Sequence, residues 1–81
     1  MEDKARAYID ALGGASNITE IDGCITRLRA TLVDPSKMDL RRLQVAGMIG
    51  RPMVMGKGVQ VVVGTYAELI GSEINTILKQ G

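Results

Sequence analysis

Seven residues do most to limit what this chain can fold into. From Thr26 to Leu32 the sequence alternates, with Thr26, Leu28, Ala30 and Leu32 on one side of an extended backbone. Arg27, Arg29 and Thr31 fall on the other side. A helix would scatter the leucines around its axis, whereas a strand gathers them on one face. Burying that face leaves both arginines in water, about 7 Å apart along the strand. The chain must therefore build a sheet with one covered face and one open, basic face.

The flanking segments supply the cover. In "EDKARAYIDALGG", Ala5, Tyr8, Ile9 and Leu12 recur at helical spacing, with Glu2 and Asp3 at the start and Gly13-Gly14 as the stop. "NITEID" reads as a short strand before the alternating one. "DPSKMDLRRLQVAG" predicts a second helix, with Ser36 as N-cap, Leu40 and Leu43 as its apolar stripe, and Gly47 as its end. "MIGRPMVM" and "VQVVVG" read as strands joined through Gly56-Lys57-Gly58, and Pro52 places the first of them at an edge or a bulge. A capping box, Thr65-x-x-Glu68, opens a third helix carrying Ala67, Ile70, Ile74, Ile77 and Leu78. Gly71 within that helix costs about 1 kcal/mol relative to Ala. Hairpin-length connections give antiparallel pairs. The expectation is an α+β fold over residues 1–81 as one domain, a four-stranded antiparallel sheet with three helices on one face.

Composition removes several function classes. There is no His and one Cys, so neither a zinc set nor an internal disulfide is available, and no metal or other cofactor is expected. The usual general base for a serine or cysteine nucleophile is missing as well. With no Trp or Phe and only Tyr8 and Tyr66, stacking on nucleic-acid bases is nearly excluded. The apolar runs are short and interrupted, the start resembles no secretory signal, and a lone thiol suits a reducing cytoplasm. Charge is segregated: residues 1–23 carry two basic and five acidic groups, and residues 24–60 carry seven basic and two acidic. One reading of that basic centre is a non-catalytic regulatory or interaction module that binds an acidic partner; another is an ordinary solvated surface.

The cysteine gives the basic centre a second meaning. Cys24 stands three residues before Arg27 and five before Arg29 in "IDGCITRLR". A lone cysteine also suits a small buried apolar position. Planar guanidinium forks, however, match phosphate oxygens, and turn N–H groups beyond a strand end add a backbone cradle. A thiol in that setting suits acceptance and donation of a phosphoryl group. A cysteine phosphatase needs five residues between Cys and Arg on a loop entering a helix; here Arg29 follows after four, in a strand. "GRPMVMGKG" fails as a nucleotide loop, because Gly58 stands where Ser or Thr binds magnesium.

"IDGCITRLR" resembles the phosphorylation-site segment of the IIB domains of the glucose family in the bacterial phosphoenolpyruvate:sugar phosphotransferase system, whose pattern is Leu-Asp-x-Cys-x-Thr-Arg-Leu-Arg. "GVQVVVGT" resembles that family's second signature, and the likeness extends over essentially the whole chain. Ile21 replaces the usual Leu, Gly23 stands where Ala is common, and "GMIGRPMVM" is less typical. The resemblance implies a split α/β sandwich and a phosphoryl carrier, a phosphotransferase component. Cys24 would accept phosphoryl from a phosphohistidine on the IIA protein and pass it to a sugar, glucose or N-acetylglucosamine, held in the membrane-embedded IIC permease. It implies that Arg27 and Arg29 hold the thiophosphate, that Ile25 and Thr26 complete the cradle, and that Gln60 supports them. Asp22 matches the motif as a possible support that limits how tightly phosphoryl is held, or as a turn-stabilising acid. The setting implied is cytoplasmic, at the inner face of the membrane when bound or fused to IIC. A rim of apolar residues with basic ones such as Arg51 and Lys57 would suit the IIA partner.

Overall fold

A computed structural model describes residues 1–80. In chain order its elements are α1 (Glu2–Ala11), β1 (Ile18–Cys24), β2 (Arg27–Leu32), α2 (Leu40–Ala46), β3 (Ile49–Met55), β4 (Gly58–Val62) and α3 (Ala67–Gln80). Short 3-10 turns at Ala15–Asn17 and Pro35–Lys37 complete the connections. The sheet order is β1-β2-β4-β3 and every pair is antiparallel. The two hairpins thus join through β2 and β4, which are not consecutive in the chain.

Period-two alternation decides the faces. Ile21, Leu28, Ala30, Leu32, Val59 and Val61 point inward and pack with Tyr8, Leu12, Leu43, Ile70 and Ile74 of the three helices, in one core. The expected α+β architecture with three helices on one face is the architecture found. Each large aliphatic side chain buried there contributes about 1.5–3 kcal/mol. Among the described residues no helix is long and apolar enough to cross a membrane.

Several boundaries differ from the sequence expectation. The first strand runs past Asp22 to Cys24, and Asn17 lies in the preceding 3-10 turn. There its buried amide donates to the carbonyls of Leu12 and Asp34 at 2.8 and 3.0 Å and accepts from the Asp34 N–H at 2.9 Å. The second strand starts at Arg27, which leaves Thr26 in the turn. Ser36 is not a helix cap. It sits in the turn that Pro35 opens, where its N–H and hydroxyl both donate to Asp34. Asp39 caps α2 instead, accepting from the Arg42 N–H at 3.0 Å, since the proline turn ends before the helix begins. Leu40 is consequently 51% exposed, and Leu43 and Ala46 form the buried stripe. Helix α3 begins at Ala67, one residue later than a capping box on Thr65 requires.

The two sheet edges are protected in different ways. β3 is an edge strand whose register with β4 shifts between Ile49 and Met53, around Pro52. β1 is the other edge. Helix α3 lies against it so closely that Gly23 and Gly71 meet backbone to backbone, and Asn75 Nδ2 donates to the Ile21 carbonyl at 2.8 Å.

Candidate functional site

The β1–β2 hairpin turns in two residues, Ile25 and Thr26, between the paired Cys24 and Arg27. Ile25 has φ 57°, the one positive φ at a non-glycine position among the described residues. A β-branched residue is strained there by about 1–3 kcal/mol, and such strain clusters at functional turns. The surrounding structure holds the turn through the Thr26 carbonyl, which accepts from Val63 N–H at 2.8 Å and Gly64 N–H at 3.1 Å. Among the described residues the N–H groups of Ile25 and Thr26 donate to no backbone carbonyl. The turn therefore anchors its acceptor and leaves its donors beside Cys24, an arrangement suited to an anion.

The antiparallel register lays out the open face in rows. Cys24 pairs with Arg27, Arg27 with Val62, and Val62 with Ile49. In the next row Asp22 pairs with Arg29, Arg29 with Gln60, and Gln60 with Met53. Cys24 is exposed, and it shares a depression of about 380 Å³ with Ile25, Thr26, Arg27, Arg29 and Gln60. Cys24, Arg27 and Arg29 are residues the sequence singled out, and Ile25, Thr26 and Gln60 are ones the family resemblance implied. Gln60 reaches the site through the β2–β4 pairing.

The two arginines are held differently. Arg27 Nη1 donates to Gln60 Oε1 at 3.4 Å, a long bond that leaves most of the fork free. Arg29 donates through Nε and Nη2 to both carboxylate oxygens of Asp22, at 3.1 and 3.0 Å. The hydrogen bond to Asp22 raises the Arg29 pKa further above its already high value, and the charges of Asp22 and Cys24 add to it. Asp22 is thus a strand residue on the open face paired with Arg29, in place of the turn-stabilising acid that its sequence context allowed. It lines a neighbouring depression with Glu20, Arg29 and Thr31.

Other expected residues fall outside the site. Lys57 lies in the β3–β4 turn, its carbonyl accepting from Leu32 N–H, so it is about 17 Å along the strands from Cys24. It cannot belong to a rim around the thiol. The basic segment as a whole is divided between faces. Arg27 and Arg29 are on the open sheet, whereas Arg41 and Arg42 border a groove with Ala7, Asp10 and Val45 on the helical side. The sequence names no apolar residue for the expected rim; the structure exposes Ile49, Met53 and Met55 on β3. Met53 and Met55 border a depression with Arg29 and Gln60. The signal was the alternation within "MIGRPMVM", which the register shift at Pro52 obscures. Among the described residues no three His, Cys, Asp or Glu side chains come together as metal ligands.

Comparison with known proteins points the same way. Residues 6–39 match the family model described as phosphotransferase system, EIIB. The chain is similar to the N-acetylglucosamine-specific EIIB component of the phosphotransferase system in Streptomyces coelicolor. The two are 44% identical over 78 residues, covering 96% of this chain and 100% of that protein. It is also 39% identical to part of the N-acetylglucosamine-specific EIICBA component of Klebsiella pneumoniae, covering 95% of this chain but 12% of that longer protein. In three dimensions it is similar to one domain of the phosphotransferase-system IIabc component from Clostridium difficile. The TM-score is 0.70 at 20% identity, with 96% of this chain and 78% of that one covered.

Proposed function

This chain belongs to the EIIB family of the phosphotransferase system, and from that premise we propose that it carries a phosphoryl group on Cys24 between IIA and the sugar. On this reading residues 1–81 form a single carrier domain. The observation that carries the proposal is the exposed Cys24 sharing one depression with two guanidinium groups and a turn whose N–H groups are free.

Loading is an in-line displacement. The Cys24 thiolate attacks phosphorus, the S–P bond forms, and the P–N bond of the IIA phosphohistidine breaks with its electron pair left on the imidazole. Delivery reverses the roles. A sugar hydroxyl forms the O–P bond, the S–P bond breaks to return the thiolate, and the hydroxyl proton goes to a base in the sugar site of IIC. Neither step needs a general base on this chain, which accounts for a site built without histidine. Arg27 supplies its free fork to the phosphoryl oxygens, Arg29 adds a second, and Ile25 and Thr26 contribute N–H groups. Gln60 holds Arg27 from the neighbouring strand.

The sugar is N-acetylglucosamine or glucose; the full-length similarity to the Streptomyces coelicolor component supports the former. The domain works in the cytoplasm, at the inner membrane face when it is bound or fused to IIC. The test is phosphoryl transfer from phosphoenolpyruvate through the general phosphotransferase proteins and IIA. Native protein should gain one phosphoryl group with the lability of a thiophosphate, and Cys24→Ser should gain none. Label that stays on the Cys24→Ser protein would refute the reading.

A further inference from the structure

The open face presents two arginines in adjacent rows, yet only one of them is engaged by an acid. Arg29 spends both arms of its fork on Asp22, at 3.1 and 3.0 Å, while Arg27 meets only the neutral Gln60 at 3.4 Å. Cys24 is the direct cross-strand partner of Arg27 and the diagonal neighbour of Arg29, roughly 7 Å away between backbones and within reach of a long side chain. We propose that Asp22 is a positioning residue: it parks the Arg29 fork while Cys24 is empty and releases it to an anion on the sulfur.

Both members of the pair are more than half exposed, so the pair is weak and exchangeable in water. A phosphoryl dianion offers Arg29 the same bidentate geometry with twice the charge. In the empty state Asp22 cancels one of the two positive charges beside the thiol, so the site holds stray anions poorly. The charged groups facing this cluster are Glu20 and Asp22 on β1, Arg27 and Arg29 on β2, and Glu68 and Lys79 of α3 beyond Asp22. β4 presents neutral Gln60 and Val62, and the β3 residues paired with them, Met53 and Ile49, are uncharged.

The parking role concerns the empty thiol alone. The release to phosphoryl rests on the carrier reading, and the two are tested separately. Asp22→Asn is compared with the parent for alkylation of Cys24 by iodoacetamide across pH. Binding of inorganic phosphate is followed at the Ile25 and Thr26 amides by NMR. Removing the acid frees one unit of positive charge on the diagonal neighbour of Cys24. Alkylation near pH 7 should therefore rise about three- to tenfold, and phosphate should bind correspondingly tighter. In an Arg29→Gln background the same substitution should have an effect at least about threefold smaller, because the acid acts through Arg29. An unchanged or slower alkylation, or an equal factor in both backgrounds, overturns the proposal. Normal loading by phospho-IIA together with unchanged alkylation would sink the parking role and leave the carrier reading standing. Failed loading of the parent with the expected alkylation shifts would do the reverse.

Discussion

Replacing Gly23 by Ala is the sharpest test of how the fold places Cys24. A Cβ at position 23 would lie 2.5 Å from the carbonyl carbon of Ala67 and 2.9 Å from the Cα of Glu68, with the Ala67 oxygen nearer still. From the other side, a Cβ on Gly71 would lie 2.5 Å from the Gly23 nitrogen. All of these neighbours are backbone atoms, so no side chain can rotate away. Ordinary contact begins near 3.4 Å, and helix α3 must therefore withdraw from β1 by about 1.5 Å. That movement would stretch the 2.8 Å bond from Asn75 to the Ile21 carbonyl beyond useful length. Overpacking of about 1–3 kcal/mol and a lost hydrogen bond of about 0.5–1.5 kcal/mol predict a destabilisation of about 1.5–4.5 kcal/mol. For a domain of this size the Tm should fall by roughly 6–36 °C. Urea unfolding followed by circular dichroism gives the free energy directly, with an unchanged m-value expected. The result is informative because Ala is common at this position in the family's pattern, so a pattern-based repair would be harmful here. A Gly23→Ala protein as stable as its parent would refute the close helix–strand contact as the reason for glycine.

Two further outcomes follow from the site and its supports. Arg27→Lys and Arg29→Lys should each slow delivery to sugar by roughly 100-fold while loading from phospho-IIA suffers less, because lysine keeps the charge but loses the fork. Paired rates with phospho-IIA and with IIC membranes measure this, and delivery at the parental rate would refute it. The hydrogen bond from the Ser36 hydroxyl, and then that from its N–H, hold the Asp34 carboxyl below its ordinary value of 3.8. A lowered folded-state value contributes stability at neutral pH that fades as pH falls through it. Asp34→Asn should flatten the acid limb of the stability curve between about pH 5 and about pH 2, as read by urea unfolding across that range. An acid limb identical to the parent's would show that the Ser36 hydrogen bonds to Asp34 do not matter.

Much of this protein could be read from the chain because it rests on local rules. Alternation from Thr26 to Leu32 assigns Arg27 and Arg29 to one face whatever the strand pairs with, since successive side chains point to opposite sides. The helical spacing of α1 and α3 and the glycine turn at 56–58 are local in the same sense, and so is the spacing of Cys24 from its arginines. Other features depend on contacts between distant segments, which no short window encodes. Gln60 reaches Arg27 across 33 residues only because β2 pairs with β4 and not with its sequence neighbour β3. Asp22 engages Arg29 because the two-residue turn at Ile25-Thr26 fixes a register that places them opposite each other; a slip of one residue would put them on different faces. The glycine at position 23 is explained only by α3 lying against β1. Spacing and periodicity determined that Cys24, Arg27 and Arg29 could face an anion. The pairing order, the register and the helix contact decided which of them meet, because those choices depend on packing summed over the whole core.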